Sequence, residues 1–166
     1  MFSIAALERL FSVKGRPAAL ALPVLVNSTD QVEMVARFTS IGSSLAEHFW
    51  PGPLSLVLPK QGHLPDLVTG GRNTVAVRMP DHPVPLALAS QLHGPVTGTS
   101  ANLSGGPDLH SLDALDEQLG DQVDYIMRSG PPPQGTASTV VDVTGDSPQL
   151  IREGAISLKS VLAALK

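Results

Sequence analysis

The stretch TGTSANLSGGP, residues 97–107, sets Thr97, Thr99, Ser100, Asn102 and Ser104 among glycines and carries no charge. Hydroxyl and amide groups both donate and accept hydrogen bonds, so they suit ribose, base-edge, amino-acid and phosphate oxygens alike. Gly98, Gly105 and Gly106 allow backbone N–H groups to approach a ligand closely. The same composition also serves a turn cluster in which Asn102 merely caps a helix. No GK[ST] follows the glycines and the G-x-G-x-x-G spacing is missing, so the loop is neither a Walker A loop nor a dinucleotide fingerprint.

Four basic residues stand outside the helical stripes: Lys14 and Arg16 in KGRP, Arg78 at a strand end, and Arg152 in LIREGA. A guanidinium grips carboxylate or phosphate at two points, while an ammonium acts as a movable point charge. Gly15 permits a tight backbone that aims Lys14 and Arg16 at one anion. Each cation alone reads as a solvated charge. Together, at element ends and with a hydroxyl-rich loop between them, they point to an anionic-ligand site. Other candidates are weaker. His48, His63, His82, His93 and His110 read as surface or helix-end residues, since none sits in a nucleophile motif, and no G-x-S-x-G occurs. Asp81, Asp108 and Asp142 offer a second-ranked way to hold Mg2+ through phosphates. No metal-ligating set and no catalytic acid or base is assigned.

Those groups need elements to position them. Ile4, Leu7, Leu10 and Phe11 share one face of an opening helix, with Ser3 placed as its N-cap. Residues 22–26 read as a short strand. A second helix begins at NSTDQVE, where Ser28 and Gln31 are spaced as a capping box. Its stripe is Val32, Val35, Phe38, Ile41 and Leu45, Pro51 stops it, and Trp50 is expected to anchor its end against the core. Residues 54–58 read as a strand. In NTVAVRMP the alternation puts Val75, Val77 and Met79 on one face and Thr74, Ala76 and Arg78 on the other. A hydroxyl and a guanidinium thus flank an alanine, with room between them. Pro83 and Pro85 open a helix that Gly94 closes, and a strand from Val96 feeds the hydroxyl-rich loop. Ser111 caps a short helix faced by Leu112, Leu115 and Leu119, ahead of Gly120. Residues 123–127, 138–143 and 149–152 read as strands before a closing helix, SLKSVLAALK. Helices alternating with strands give an α/β class with a mixed, twisted sheet.

At 166 residues the chain is long enough to bury a core as a single domain, residues 1–166. No apolar run reaches the length of a membrane span, and MFSIAALERLFSVKGRP has neither a basic n-region nor a cleavage site. With no cysteine either, the expectation is a cytoplasmic protein without disulfides or thiolate metal sites. A formal charge of −4 argues against a broad electrostatic grip on nucleic acid, and 4% aromatic content against a base-stacking platform.

The motifs KGRP, WPGPLSLVL, VTGGRNTVAVRMPDHP, GTSANLSGGP and STVVDVTGDSPQLIREGAIS occur in that order. Over roughly residues 7–157 the chain resembles the YrdC-like threonylcarbamoyl-AMP synthase family, whose signature is K-x-R followed far downstream by S-x-N. The resemblance implies an α/β fold, a twisted mixed sheet with flanking helices around a large, positively lined cavity. It implies a nucleotidyltransferase that condenses L-threonine, bicarbonate and ATP, with Mg2+, into threonylcarbamoyl-adenylate and pyrophosphate. That product passes to downstream transferase proteins that modify adenosine 37 of tRNAs reading ANN codons. Residue by residue, Lys14 and Arg16 resemble the family's phosphate-binding pair, Thr74 and Asn102 nucleotide contacts, and Arg152 a nucleotide-binding arginine. Arg78 resembles the clamp on the threonine carboxylate, with Ser100 and Ser138 on the threonine side.

Family members begin with strands bearing a TDTVYGLG-like motif. A chain that starts inside the helix before KGRP is therefore expected to be N-terminally shortened, exposing a sheet edge and apolar surface. After KGRP, the run AALAL replaces a stretch that usually carries a polar residue and a proline, and His110 stands where the family often has Thr. The alternative reading is a non-catalytic module that binds tRNA or double-stranded RNA.

Overall fold

The computed structural model describes residues 2–109, 111–131 and 136–166. Among these residues six strands form one mixed sheet: β1 (Val24–Leu25), β2 (Leu54–Pro59), β3 (Thr74–Arg78), β4 (Val96–Thr97), β5 (Thr139–Asp142) and β6 (Gln149–Arg152). Their order is β4-β1-β3-β2-β5-β6. β1 runs parallel to β3 and β2 parallel to β5, while the other neighbours are antiparallel. The helices are α1 (Ile4–Lys14), α2 (Thr29–Glu33), α3 (Ser40–Phe49), α4 (Asp66–Thr69), α5 (Pro83–Gln91), α6 (Leu112–Leu119) and α7 (Leu158–Ala163).

Successive strand residues point to opposite faces of a sheet. The registers Val24↔Val77, Leu56↔Val77, Leu58↔Val75 and Leu56↔Val141 gather the large aliphatic side chains on one face. There Val24, Leu54, Leu56, Leu58, Val77 and Val141 are fully buried. Each such burial stabilises the fold by about 1.5–3 kcal/mol. Leu7 and Phe11 of α1, Val32 of α2, Leu45 of α3, Val68 of α4 and Val161 of α7 join the same cluster. The opposite face carries Leu25, Thr74, Ala76, Arg78, Ser55, Val57, Val140 and Asp142, none of which belongs to that cluster. All of these except Ser55 and Val57 are partly exposed. The core is one-sided, and the second face is left for polar groups.

Most expected elements form, with instructive differences. Ser3 caps α1 by accepting from Ala6 N, and Leu7 and Phe11 are buried, but Ile4 is exposed. The single helix expected from residue 28 to Pro51 is two, α2 and α3. Between them Ala36 bridges Lys60 and Arg37 N donates to Pro59 O at 2.9 Å, so the chain briefly extends the sheet. Thr39 then restarts the helix by accepting from Gly42 N at 3.0 Å. Val32, Val35 and Leu45 are buried all the same, because a turn between two short helices returns them to the same cluster. Trp50 anchors the end of α3 as expected, packing on the core and donating Nε1–H to Leu54 O at 2.7 Å. Residues 123–127 do not form a strand; β5 and β6 complete that side of the sheet, and the segment is tied instead by Arg9–Asp124, with Tyr125 largely exposed. Leu88 of α5 and Leu92 just after it are exposed, and β4 and β6 are the sheet edges. Among the described residues no helix is long and apolar enough to cross a membrane.

β6 is set by a buried hydroxyl. Thr139 Oγ1 donates to Ile156 O at 2.6 Å and accepts from Gly154 N at 2.9 Å and Ile156 N at 3.0 Å. The chain closes so tightly here that a Cβ on Gly154 would lie 2.3 Å from Ala137 O. Thr139→Val keeps the shape but strands two N–H donors and one carbonyl. It should lower the unfolding free energy by about 2–5 kcal/mol, read by urea denaturation. A loss under about 0.5 kcal/mol, the scale of ordinary surface substitutions, would show that this hydroxyl does not hold the loop.

Candidate functional site

The polar face of the sheet organises half of the candidate residues. The β2–β3 register, continued by one residue, sets Ser55 opposite Arg78; Ser55 is paired with Val140 on β5, and Val140 with Arg152 on β6. Arg78, Ser55 and Arg152 therefore form one row across the sheet, joined by Ser138, two residues before Val140 on the same face. Ser138 Oγ lies 2.9 Å from Ser55 Oγ. Arg152 Nη2 donates to Ser138 Oγ at 3.2 Å and to Ser138 O at 2.8 Å. Arg78 is half-buried and donates Nε–H to Gly52 O at 2.9 Å. Burial disfavours its charged form and lowers its pKa. Among the described residues the ion pairs are Arg9–Asp124, Lys60–Asp66 and Arg128–Asp116, so neither Arg78 nor Arg152 has a carboxylate partner. Cations placed this way favour an anionic ligand. Thr74 shares the face but lies four residues down β3, about 13 Å away at the usual strand rise, with Ala76 between as expected.

The second group sits where α1 meets the hydroxyl-rich loop. Lys14, at the end of α1, is only 5% exposed. Its ammonium donates to the backbone carbonyls of Ser100 and Asn102 and, at 3.3 Å, to Asn102 Oδ1. Ser104 N returns a hydrogen bond to Lys14 O at 2.8 Å. Asn102 closes its own loop rather than capping a helix: Nδ2 donates to Gly106 O at 2.6 Å while Oδ1 accepts from Ser100 Oγ. Arg16 donates to Leu20 O at 3.2 Å and Ala21 O at 2.7 Å. The AALAL run thus holds Arg16 through carbonyls that any side chains would leave in place. Burial first, and the Arg16 charge second, push the Lys14 pKa down, with Asp108 opposing them. A cavity of about 400 Å³ opens beside Lys14, walled by Leu10, Val13, Thr99, Ser100 and Leu119.

One contact joins the two groups. Gly98 N donates to Pro23 O at 2.8 Å, and a Cβ on Gly98 would lie 3.1 Å from Leu25 Cγ. The loop therefore leaves β4 directly over Leu25, the residue in register with Arg78. Lys14, Ser100 and Asn102 form one cluster with Arg16 beside it; Arg78, Ser138 and Arg152 form the row; Thr74 stands at the far end of the same face. Ser55 is the residue that sequence reading missed. Its only signal is a lone hydroxyl in the apolar run LSLVL.

The remaining candidates are occupied elsewhere. His82 Nδ1 accepts from Val84 N at 3.3 Å as the cap of α5, His93 follows the end of that helix, and His48 and His63 lie against Phe49 and Phe2. His110 and residues 132–135 of the loop GPPPQG lie outside the described residues. Asp142 Oδ1 accepts from Thr144 N at 2.8 Å and Thr144 Oγ1 at 2.6 Å. Among the described residues no group of three or more His, Asp or Glu side chains is placed to hold a metal ion.

The buried ammonium makes the site pH-dependent. With its folded pKa below 10.5, Lys14 binds fewer protons in the native than in the unfolded state between the two values. Its charge therefore costs stability at neutral pH, and that cost is relieved as pH rises through the folded value toward 10.5. An anion held by this ammonium would offset the same cost and would lose its partner on deprotonation. Pyrophosphate affinity, measured by calorimetry, should decline along an alkaline limb that begins below 10.5, and Lys14→Arg should move that limb upward. An affinity flat across that range would show that Lys14 does not face the anion.

Residues 1–154 match the family model Sua5_yciO_yrdC, described as "Telomere recombination". The threonylcarbamoyl-AMP synthase of Pyrococcus abyssi (strain GE5 / Orsay) is 40% identical over 157 residues, covering 94% of this chain and 46% of its own. That of Bacillus subtilis (strain 168) is 36% identical over 162 residues, covering 96% and 47%. The crystal structure of P. abyssi Sua5 complexed with L-threonine has a TM-score of 0.91 and 38% identity, covering 99% of this chain and 48% of that one. The chain thus spans less than half the length of these relatives. The mixed sheet, the ordered K-x-R and S-x-N motifs and these matches agree: the chain belongs to the Sua5/YciO/YrdC family.

Proposed function

We propose that this chain carries a site that forms threonylcarbamoyl-adenylate and pyrophosphate from L-threonine, bicarbonate and ATP. The observation that carries the reading is the row of Arg78 and Arg152, both without carboxylate partners among the described residues, on a sheet face that adjoins the Lys14–Ser100–Asn102 loop. A close structural relative that binds L-threonine supports it. Arg78 receives the threonine carboxylate, with Ser100 and Ser138 on the threonine side. Lys14 and Arg16 face the phosphates, and Thr74, Asn102 and Arg152 hold the nucleotide.

The threonine amine and bicarbonate combine, with loss of water, into a carbamate. Its oxygen attacks the α-phosphorus of ATP and pyrophosphate departs. Holding the three reactants in one geometry removes much of the entropic barrier, and fixed cations stabilise charge on the leaving group. Mg2+ would enter with the triphosphate as part of the substrate; the carboxylates near these groups are Asp108, whose charge acts on Lys14, and Asp142 on the polar face of the sheet. No side chain is assigned as a general base. The adenylate product then passes to a tRNA-modifying transferase.

Folded protein incubated with ATP, bicarbonate and L-threonine should release pyrophosphate only when threonine is present. Threonine-independent release, or none from monodisperse folded protein, would sink the reading. Arg78→Ala should raise KM for L-threonine by roughly ten- to a hundredfold, the scale of a lost charged hydrogen bond, and Arg78→Lys should recover only part of it because the two-point grip is gone.

A further inference from the structure

A second cavity, of about 280 Å³, opens between α2, α3 and the residue that follows β3. Phe38, Trp50 and Met79 line it, and all three are half-buried against the hydrophobic core. Met79 comes directly after Arg78, so strand alternation sets it on the opposite face of the sheet. The cavity is therefore separate from the Arg78–Arg152 row. The two rings meet as a corner, with centroids 6.2 Å apart and planes at 56°. Trp50 donates its Nε1–H to Leu54 O at 2.7 Å, so the indole keeps no donor for a ligand and offers only ring surface.

Two carboxylates complete the lining, Glu33 at the end of α2 and Glu47 in the last turn of α3. A helix C-terminus carries partial negative charge, so Glu47 stands where a cation is favoured and an anion is not. Among the described residues neither carboxylate has an ion-pair partner, and no lysine or arginine lines the cavity. The neighbouring basic side chains are placed elsewhere: Arg37 borders a different cavity with Lys60, and the His48 ring lies edge-on to Phe49 at 4.6 Å. Ring faces attract cations through their quadrupole, and carboxylates add Coulomb attraction. Ca2+ or Mg2+ surrounds itself with oxygens, whereas most of this wall is carbon. We infer that the cavity binds an organic cation, an alkylammonium or guanidinium on a short hydrocarbon stem, its charge held by Glu33 and Glu47 and its stem by Phe38, Trp50 and Met79. The volume is at the small end for ligand sites and suits one basic group with its stem. This inference does not rest on the adenylate-forming reading, because it concerns the other face of the sheet and the opposite charge.

Trp50 is the one tryptophan of the chain, so its fluorescence reports on this cavity directly. Agmatine, a guanidinium on an aliphatic stem, should change that emission saturably at constant ionic strength, with half-saturation at roughly millimolar concentration, within the ceiling for so small a ligand. Glu33→Gln and Glu47→Gln should each weaken binding roughly two- to fivefold, the scale of an exposed ion pair. Phe38→Leu should cost a similar factor of about two to five through the lost ring face. Urea unfolding checks that each variant is folded. Neutral n-pentanol, with a comparable stem, should not saturate the signal over the same range. Emission that never saturates, that n-pentanol changes equally, or that responds identically in the Glu33→Gln/Glu47→Gln double variant overturns the inference. A terminally blocked tripeptide with arginine at its centre separates the sources of the cation. Binding as tight as that of agmatine supports a basic side chain of a partner protein, and binding of agmatine alone supports a free amine.

Discussion

The period-two alternation of β2, β3 and β5 is the constraint on which the molecule rests. Leu54, Leu56, Leu58, Val75, Val77, Thr139 and Val141 all fall on the face that the core helices cover. A slip of one residue would drive Ser55 of β2, Arg78 of β3 or Asp142 of β5 into that core and bring leucines or valines out to the other face. Register is therefore held by burial, and the polar row across β3, β2, β5 and β6 is held with it. The site is aligned by the same hydrophobic energy that folds the domain.

Charge is arranged against that apolar half. Arg78 and Arg152 are fixed by carbonyls rather than carboxylates: Gly52 O for one, Ser138 O for the other. Carbonyl partners orient a guanidinium without cancelling its charge, so the field over the row stays positive although the chain as a whole is acidic. Lys14 follows the same pattern. Its ammonium is buried among the carbonyls of Ser100 and Asn102 and pins the loop in the absence of any anion. The shape of the loop therefore depends on that ammonium, and whatever takes hold of it also acts on residues 100–106.

The reading of NTVAVRMP held because strand alternation is a local geometric rule, and it put Thr74, Ala76 and Arg78 together on the less buried face. The Ser3, Ser28 and Ser111 caps lie at helix starts for an equally local reason, a side-chain oxygen meeting an N–H three residues on. The join between α2 and α3 was not legible, because an isolated bridge between Ala36 and Lys60 interrupts a stripe whose spacing still suits a continuous helix. Residues 123–127 look like a strand, yet a strand needs a neighbour, and whether one is available depends on where distant β5 and β6 go.

By itself the sequence determined the α/β class, the cations and hydroxyls available for an anion, and the family, since motif order and periodicity are written in one dimension. Only the tertiary structure decided which of those groups meet. It separated Lys14 and Asn102 from the Arg78–Arg152 row and then joined them through Gly98 over Leu25. It also promoted Ser55, an unremarked hydroxyl in LSLVL, to the partner of Ser138. The reason is physical: hydrogen bonds reach about 3 Å, and contacts between residues 86 or 83 positions apart arise only once the sheet has brought their strands side by side.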